Sequence, residues 1–152
     1  FEQSLASLQS LTSSASERPA VFYCVWPQPL LTVGANSFLD EAIRVCGGYN
    51  IAGKLAGSYP HFSLERLVMA DPDVIVLPYE ARGQKFLASK VWRSMRAVKN
   101  DRLFFLPEPR DDHLARPTLR VIEGLRWLAS RLHPELSDRV EAWYDKVQRN
   151  LK

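Results

Sequence analysis

Short continuous apolar runs alternate along this chain with longer stretches whose apolar residues recur at helical spacing. The runs are residues 20–25 (AVFYCV), 73–77 (DVIVL) and 103–106 (LFFL). All three are brief and rich in β-branched or aromatic residues, the signature of strands buried on both faces. The helical stretches lie between and after them. One carries Phe38, Leu39, Ala42, Ile43 and Cys46, with Ser37 placed to cap it and Gly47-Gly48 to stop it. A shorter one carries Leu64, Leu67 and Val68 inward behind Ser63 and ends at Asp71-Pro72. A basic helical stretch is predicted from Arg82 to about Val98. A long helix opens with Pro117 in its first turn and buries Val121, Ile122, Leu125, Leu128, Ala129 and Leu132. His133, at its C-terminal end, suits the helix dipole, and Pro134 breaks the helix. A final helix carries Leu136, Val140, Trp143, Tyr144 and Val147.

Strands alternating with helices predict an α/β fold: a three-layer α/β/α lobe on a mainly parallel sheet, with the three runs as parallel neighbours. In such sheets ligands bind in the crevice beyond the strands' C-terminal ends. That rule selects residues 26–36, 78–83 and 107–116, and Tyr59-Pro60-His61 is expected to join them. The opening stretch differs from the rest. Leu5, Leu8 and Leu11 share one helical face, and the sequence then decays into a Ser/Thr-rich tail. A domain rarely begins this way, so residues 1–18 are expected to be the end of a helix and linker from a longer protein, with residues 19–152 as the lobe.

Composition narrows the function classes. At 46% hydrophobic and 24% charged, the 152 residues can bury a core, and 20 basic against 17 acidic residues are too balanced to argue for nucleic acid or a membrane surface. No apolar run reaches the length of a membrane span. Cys24 and Cys46 have no metal-ligand spacing; buried free thiols and a disulfide are both compatible with their positions. No nucleophile elbow, zinc-protease, phosphate-loop or dinucleotide motif occurs, and His61 and His113 lack a paired nucleophile, so binding is expected and not catalysis. Seven cations (Arg82, Lys85, Lys90, Arg93, Arg96, Lys99, Arg102) share a segment whose only acid is Asp101. Their interleaving with Phe86, Leu87, Val91 and Trp92 fits the solvated face of an amphipathic helix better than a nucleic-acid groove.

The loops on the predicted ligand side are rich in rings and fixed charge: Trp26, Tyr59, Tyr79, Arg82, Arg110, Asp111, Asp112, His113 and Arg116. Rings offer rigid contact area, and Arg pairs bidentately with carboxylates or amides. Any one of them is equally at home as a solvated loop residue; their concentration on one edge points to a large, partly planar ligand with a polar rim. Glu65, in the first turn of its helix, does no more on this pattern than complement the dipole.

Four blocks in order, PLLTVGANSFLDEAIRVCGGYNIAG (29–53), YPHFSLERLVMADPDVIVL (59–77), VWRSMRAVKNDRLFFLP (91–107) and ARPTLRVIEGLRWLASRLHPE (115–135), resemble the C-terminal lobe of the helical-backbone, class III substrate-binding proteins of ABC importers for vitamin B12, siderophores and haem. The resemblance is greatest to the cobalamin-binding branch. It implies two α/β lobes joined by one long helix, with an N-terminal lobe preceding this chain and the ligand between the lobes. It implies a periplasmic or other extracytoplasmic location, with or without a lipid anchor, and no cofactor beyond a cargo such as cobalamin, a ferric siderophore or haem. Tyr59 stands where an aromatic lines the pocket, Asp112 and Arg116 where an acid and an arginine meet the corrinoid side chains, and Glu65 where an acid meets an arginine of the permease. Trp26, Tyr79, Arg82 and His113 complete the expected ligand set. An iron–siderophore or haem binder, or a sensor or enzyme on the same fold, remains the alternative.

Overall fold

The computed structural model describes residues 1–107 and 121–151. In chain order these form α1 (Glu2–Thr12), β1 (Ala20–Tyr23), a hairpin of β2 (Trp26–Pro27) and β3 (Leu30–Leu31), α2 (Phe38–Val45), β4 (Tyr49–Asn50), α3 (Leu64–Ala70), β5 (Val74–Leu77), α4 (Lys90–Arg93), α5 (Arg96–Lys99), β6 (Leu103–Phe105), α6 (Val121–Leu132) and α7 (Ser137–Leu151). Short 3-10 turns occupy Tyr79–Ala81, Lys85–Ala88 and Pro134–Leu136.

β5 has no polar side chain and is buried along its whole length. It pairs in parallel with β1 (Val21 opposite Val74) and with β6 (Ile75 opposite Leu103), so the three apolar runs are parallel neighbours as expected. The sheet has a fourth strand, β4, and the order β4-β1-β5-β6. Two residues are too few to show any alternation; β4 is a strand because β1 lies beside it, Ala20 opposite Tyr49.

Alternation along the strands sends side chains to two cores. Val21, Tyr23, Val74 and Val76 face α1, α2, α6 and α7, among Leu8, Ile43, Leu125, Leu128 and Val140. Phe22, Cys24, Ile75 and Leu77 face the other layer, among Phe62, Leu67, Ala81, Trp92, Met95 and Ala97. Each fully buried aliphatic side chain contributes on the order of 1.5–3 kcal/mol, so both layers are integral to the fold. α1 packs within the first core: Leu5 and Leu8 are buried, and the Trp143 indole N–H donates to the Ser7 hydroxyl at 2.9 Å and the Ser4 carbonyl at 3.1 Å.

The helix caps are those the sequence indicates. The Ser37 hydroxyl accepts from the Asp40 N–H and the Ser63 hydroxyl from the Arg66 N–H, each at 3.1 Å. Four expectations need correction. The stretch from Arg82 to Val98 is not one helix: Gly83 turns it with φ of 73°, and Ser89 and Met95 are extended before α4 and α5. Across these breaks Trp92, Met95 and Ala97 are buried against the sheet. Residues 26–36 are not plain loop, since β2 and β3 pair antiparallel within them. Leu64 does not point inward; it is 37% exposed, because α3 rests on the core chiefly through Leu67. His133 is more than a helix-end residue. It is buried, with Nε2 3.0 Å from the Gly47 carbonyl and Nδ1 3.3 Å from a Glu135 carboxylate oxygen. Gly47, at φ of 83°, has to be glycine here: a Cβ would lie 2.5 Å from the His133 ring.

Cys24 and Cys46 are free and belong to the two different cores, on opposite sides of the sheet, so they are not bridged. Burial pushes the Cys24 thiol up to about 12, outweighing a hydrogen bond with the Trp26 backbone, and raises Cys46 as well.

Candidate functional site

Beyond the C-terminal ends of β1 and β5 the chain builds a surface of rings and one stacked cation. The hairpin β2–β3 leaves β1 directly and is widened by a third segment. Leu31 bridges His61 antiparallel, with the Thr32 N–H donating to the Pro60 carbonyl and the Phe62 N–H to the Leu30 carbonyl, both at 3.0 Å. Pro60 has no N–H, so the ladder is interrupted there and a single bridge remains. Facing positions in an antiparallel ribbon share a face, and Trp26 faces Leu31 as Leu31 faces His61. Tyr59, two residues before His61, comes to the same side. Trp26 is 46% and Tyr59 47% exposed, far more than rings that serve a core.

The second part follows β5. Pro78 is extended and the turn Tyr79–Ala81 closes, which places Arg82 beside two rings. Its guanidinium lies 4.9 Å from the centroid of Tyr79 and 5.4 Å from that of Phe105, at the end of the neighbouring strand. Stacking of this kind contributes about 0.5–1 kcal/mol at an exposed site, and it holds a flat cation in one orientation while leaving its N–H groups for a ligand. The sequence pattern shows Phe105 only as part of an apolar run; its role in seating Arg82 depends on β5 and β6 being neighbours.

Trp26, Tyr59, Tyr79 and Arg82 are therefore all on the sheet's C-terminal side, with His61 added to them. The Tyr59-Pro60-His61 segment joins the ligand-side loops as expected, held by the Leu31–His61 bridge. Asp112, His113 and Arg116, with Arg110 and Asp111, lie outside the described residues. Glu65 is exposed in the first turn of α3, the helix that begins directly after the Tyr59–His61 segment.

A buried network holds this edge. The Asn50 side-chain N–H₂ donates to the Val33 carbonyl and to the Asp40 carboxylate, both at 2.9 Å, while its oxygen accepts from the Ala52 N–H at 3.1 Å. The Thr32 hydroxyl donates to the Tyr23 carbonyl at 2.8 Å. At Gly34 a Cβ would meet the Gly57 carbonyl oxygen at 2.3 Å, so only glycine allows the two loops to touch. Among the described residues there is no cluster of three or more His, Cys, Asp and Glu able to hold a metal ion, and no helix long and apolar enough to cross a membrane.

A family model described as "Periplasmic binding protein" matches residues 1–109. The chain belongs to the periplasmic binding protein family. A cobalamin-binding protein of Halobacterium salinarum is 29% identical to it over 133 residues, which are 84% of this chain and 36% of that one. The vitamin B12-binding protein of Vibrio cholerae is 29% identical over 133 residues, 87% of this chain and 46% of the relative. The crystal structure of the periplasmic vitamin B12-binding protein of Vibrio cholerae superposes with a TM-score of 0.73 at 28% identity, covering 87% of this chain and 50% of that one. A molybdate-binding protein of a Haemophilus influenzae ABC transporter superposes with a TM-score of 0.71 at 24% identity, a likeness of fold alone. This periplasmic binding protein thus spans half the length, or somewhat less, of the relatives it matches.

Proposed function

We propose that this chain is the C-terminal, ligand-binding lobe of an extracytoplasmic substrate-binding protein that captures a corrinoid or a related metal chelate and delivers it to an ABC permease. The observation that carries the reading is the gathering of exposed Trp26 and Tyr59 with the stacked Tyr79–Arg82 pair at the sheet's C-terminal side. The similarity to vitamin B12-binding proteins supports it. Such a surface suits a large ring system with polar substituents: the aromatics cover its apolar face, and Arg82, with Asp112 and Arg116, fixes orientation through hydrogen bonds to amides or carboxylates. The role is binding without chemistry, the metal arrives with the cargo, and an N-terminal lobe closes over the other side of the ligand.

The test is calorimetric titration of the two-lobed protein with cyanocobalamin, haem and a ferric siderophore, beside the absorption spectrum of protein purified from its host. Saturable binding of cyanocobalamin, or a corrinoid spectrum, supports the corrinoid reading. Binding of haem or the siderophore alone assigns the same surface to the other cargo. Binding of none overturns the proposal. The isolated 152-residue chain is expected to bind weakly, since removing half the contact area leaves little surplus over the entropic cost of association.

A further inference from the structure

The two described histidines are held in opposite ways. His133 is buried, and both its ring nitrogens lie against oxygens, at 3.0 and 3.3 Å. His61 is exposed, and neither of its nitrogens has a partner among the described residues. Its backbone, by contrast, is fixed. Leu31 bridges it antiparallel, and the next residue, Phe62, is buried in the second core with its ring centroid 5.3 Å from that of Phe22. Successive side chains of an extended segment point to opposite sides, so burying Phe62 turns His61 outward.

The outward side is where the exposed rings stand. Trp26 lies beyond Leu31 in the same row across the ribbon, roughly 10 Å from His61 at about 5 Å for each facing pair. Tyr59 lies two residues along the segment, about 7 Å away. His61 is therefore the corner at which the two lines of apolar surface meet. A neutral imidazole with a free nitrogen is the commonest protein ligand for a transition metal. At this corner it stands where a flat macrocycle resting on the rings presents the metal at its centre.

We infer that His61 is an axial ligand to the metal of the cargo, and that the cargo is a macrocyclic chelate with an exchangeable axial position. This rests on the binding-protein reading above and narrows it to a corrinoid or haem. One ring nitrogen of neutral His61 gives its lone pair to the metal, a water leaves the same position, and the metal's oxidation state does not change. A macrocycle allows this, since its ring nitrogens leave the two axial positions open, whereas iron in a hexadentate siderophore has no position left. Trp26 and Tyr59 supply contact area that serves any macrocycle, so they do not distinguish a cargo with an open position from one without. His61 does, which makes it a specificity-determining residue.

The experiment titrates the two-lobed protein with aquocobalamin, cyanocobalamin, ferric haem and a ferric hydroxamate, reading affinity by calorimetry and ligation by the absorption spectrum. In cyanocobalamin, cyanide and the corrinoid's own base hold both axial positions; in aquocobalamin, water alone holds one of them. The wild-type protein should bind aquocobalamin about tenfold or more tightly than cyanocobalamin, or bind haem, and should shift the absorption bands of that cargo as nitrogen replaces water. His61→Ala and His61→Gln should both abolish the shift and the preference, with an unchanged melting temperature, since the position is exposed. Glutamine keeps a hydrogen-bonding group but is a poor ligand, so its failure separates ligation from a hydrogen bond to a cargo amide. A shift that survives in His61→Gln, or that is lost in His113→Ala and kept in His61→Ala, overturns the inference and leaves the binding-protein reading standing. So do equal affinities for the two cobalamins with no spectral change in any cargo, and a ferric hydroxamate bound more tightly than either macrocycle. Binding of none of these cargoes defeats the binding-protein reading, and the inference with it.

Discussion

The two faces of the sheet are built differently. On one, α1, α2, α6 and α7 lie as whole helices, the longest of 15 residues, and their apolar stripes fill one large core. On the other, the seven-residue α3 and a series of short turns, each returning one or two large side chains, do the same work. The first face carries a groove of about 780 Å³ between α1 and α7. On the second side lie the stacked Arg82 and Glu65. The first face is a platform; the second supplies surface that varies over a few residues without unfolding the sheet.

The comparison can be broken most directly by truncation. Leu125→Ala, in the long-helix core, should cost about 2–5 kcal/mol in urea denaturation, as cavity-forming changes do. Val91→Ala, at an exposed position of α4, should stay within about 0.5 kcal/mol of wild type. Comparable losses would mean that the short-turn surface is as structural as the platform. Gly34→Ala should cost about 3 kcal/mol by the same measurement, because backbone meets backbone and neither side can yield cheaply.

Ligand affinity sharpens the contrast. Tyr59→Ala should weaken cargo binding by about 1–3 kcal/mol in calorimetry of the two-lobed protein, without lowering its melting temperature. Unchanged affinity would return the ring to solvated loop. Glu65→Gln should change stability by only a few tenths of a kcal/mol, the value of a helix-dipole contact, and leave ligand affinity alone. Its effect belongs in uptake by cells, and normal uptake with Glu65→Arg would remove the reason for placing α3 against a permease.

At neutral pH the smallest effect concerns the thiols. Both Cys24 and Cys46 have folded-state values raised by burial, Cys24 to about 12. The native chain therefore holds its thiol protons where the unfolded chain, titrating at about 8.5, has released them. The thiols add no pH dependence below that value, and stability should decline as pH rises from about 8.5 towards 12. Thiol reagents at neutral pH should label both cysteines only as the protein unfolds. Labelling of one in the native state would show that its core opens independently of the other.

Much of the architecture is legible in residue order. The runs 20–25, 73–77 and 103–106 are strands, and Ser37 and Ser63 are caps, because each signal is complete within a few consecutive residues. The family likeness is legible for a related reason: Gly34, Asn50 and Thr32, in its most distinctive blocks, hold loops together and tolerate few alternatives. These residues build the edge of the site without being its contacts, so the family is clear at a level where the cargo is not.

The sequence by itself determined which segments are strands and helices, which of their faces are apolar, and on which edge rings and charges collect. Only the tertiary structure decided what needs two remote segments to meet. β4 exists because β1 is beside it, and the row from Trp26 through Leu31 to His61 exists because the hairpin accepts a third segment. The basic stretch is divided at Gly83, Ser89 and Met95 where it packs against the sheet, and Arg82 is oriented because β5 brings Tyr79 beside Phe105 of β6. Periodicity records what a single element buries. Pairing, stacking and clefts arise between elements, and no window of consecutive residues contains them.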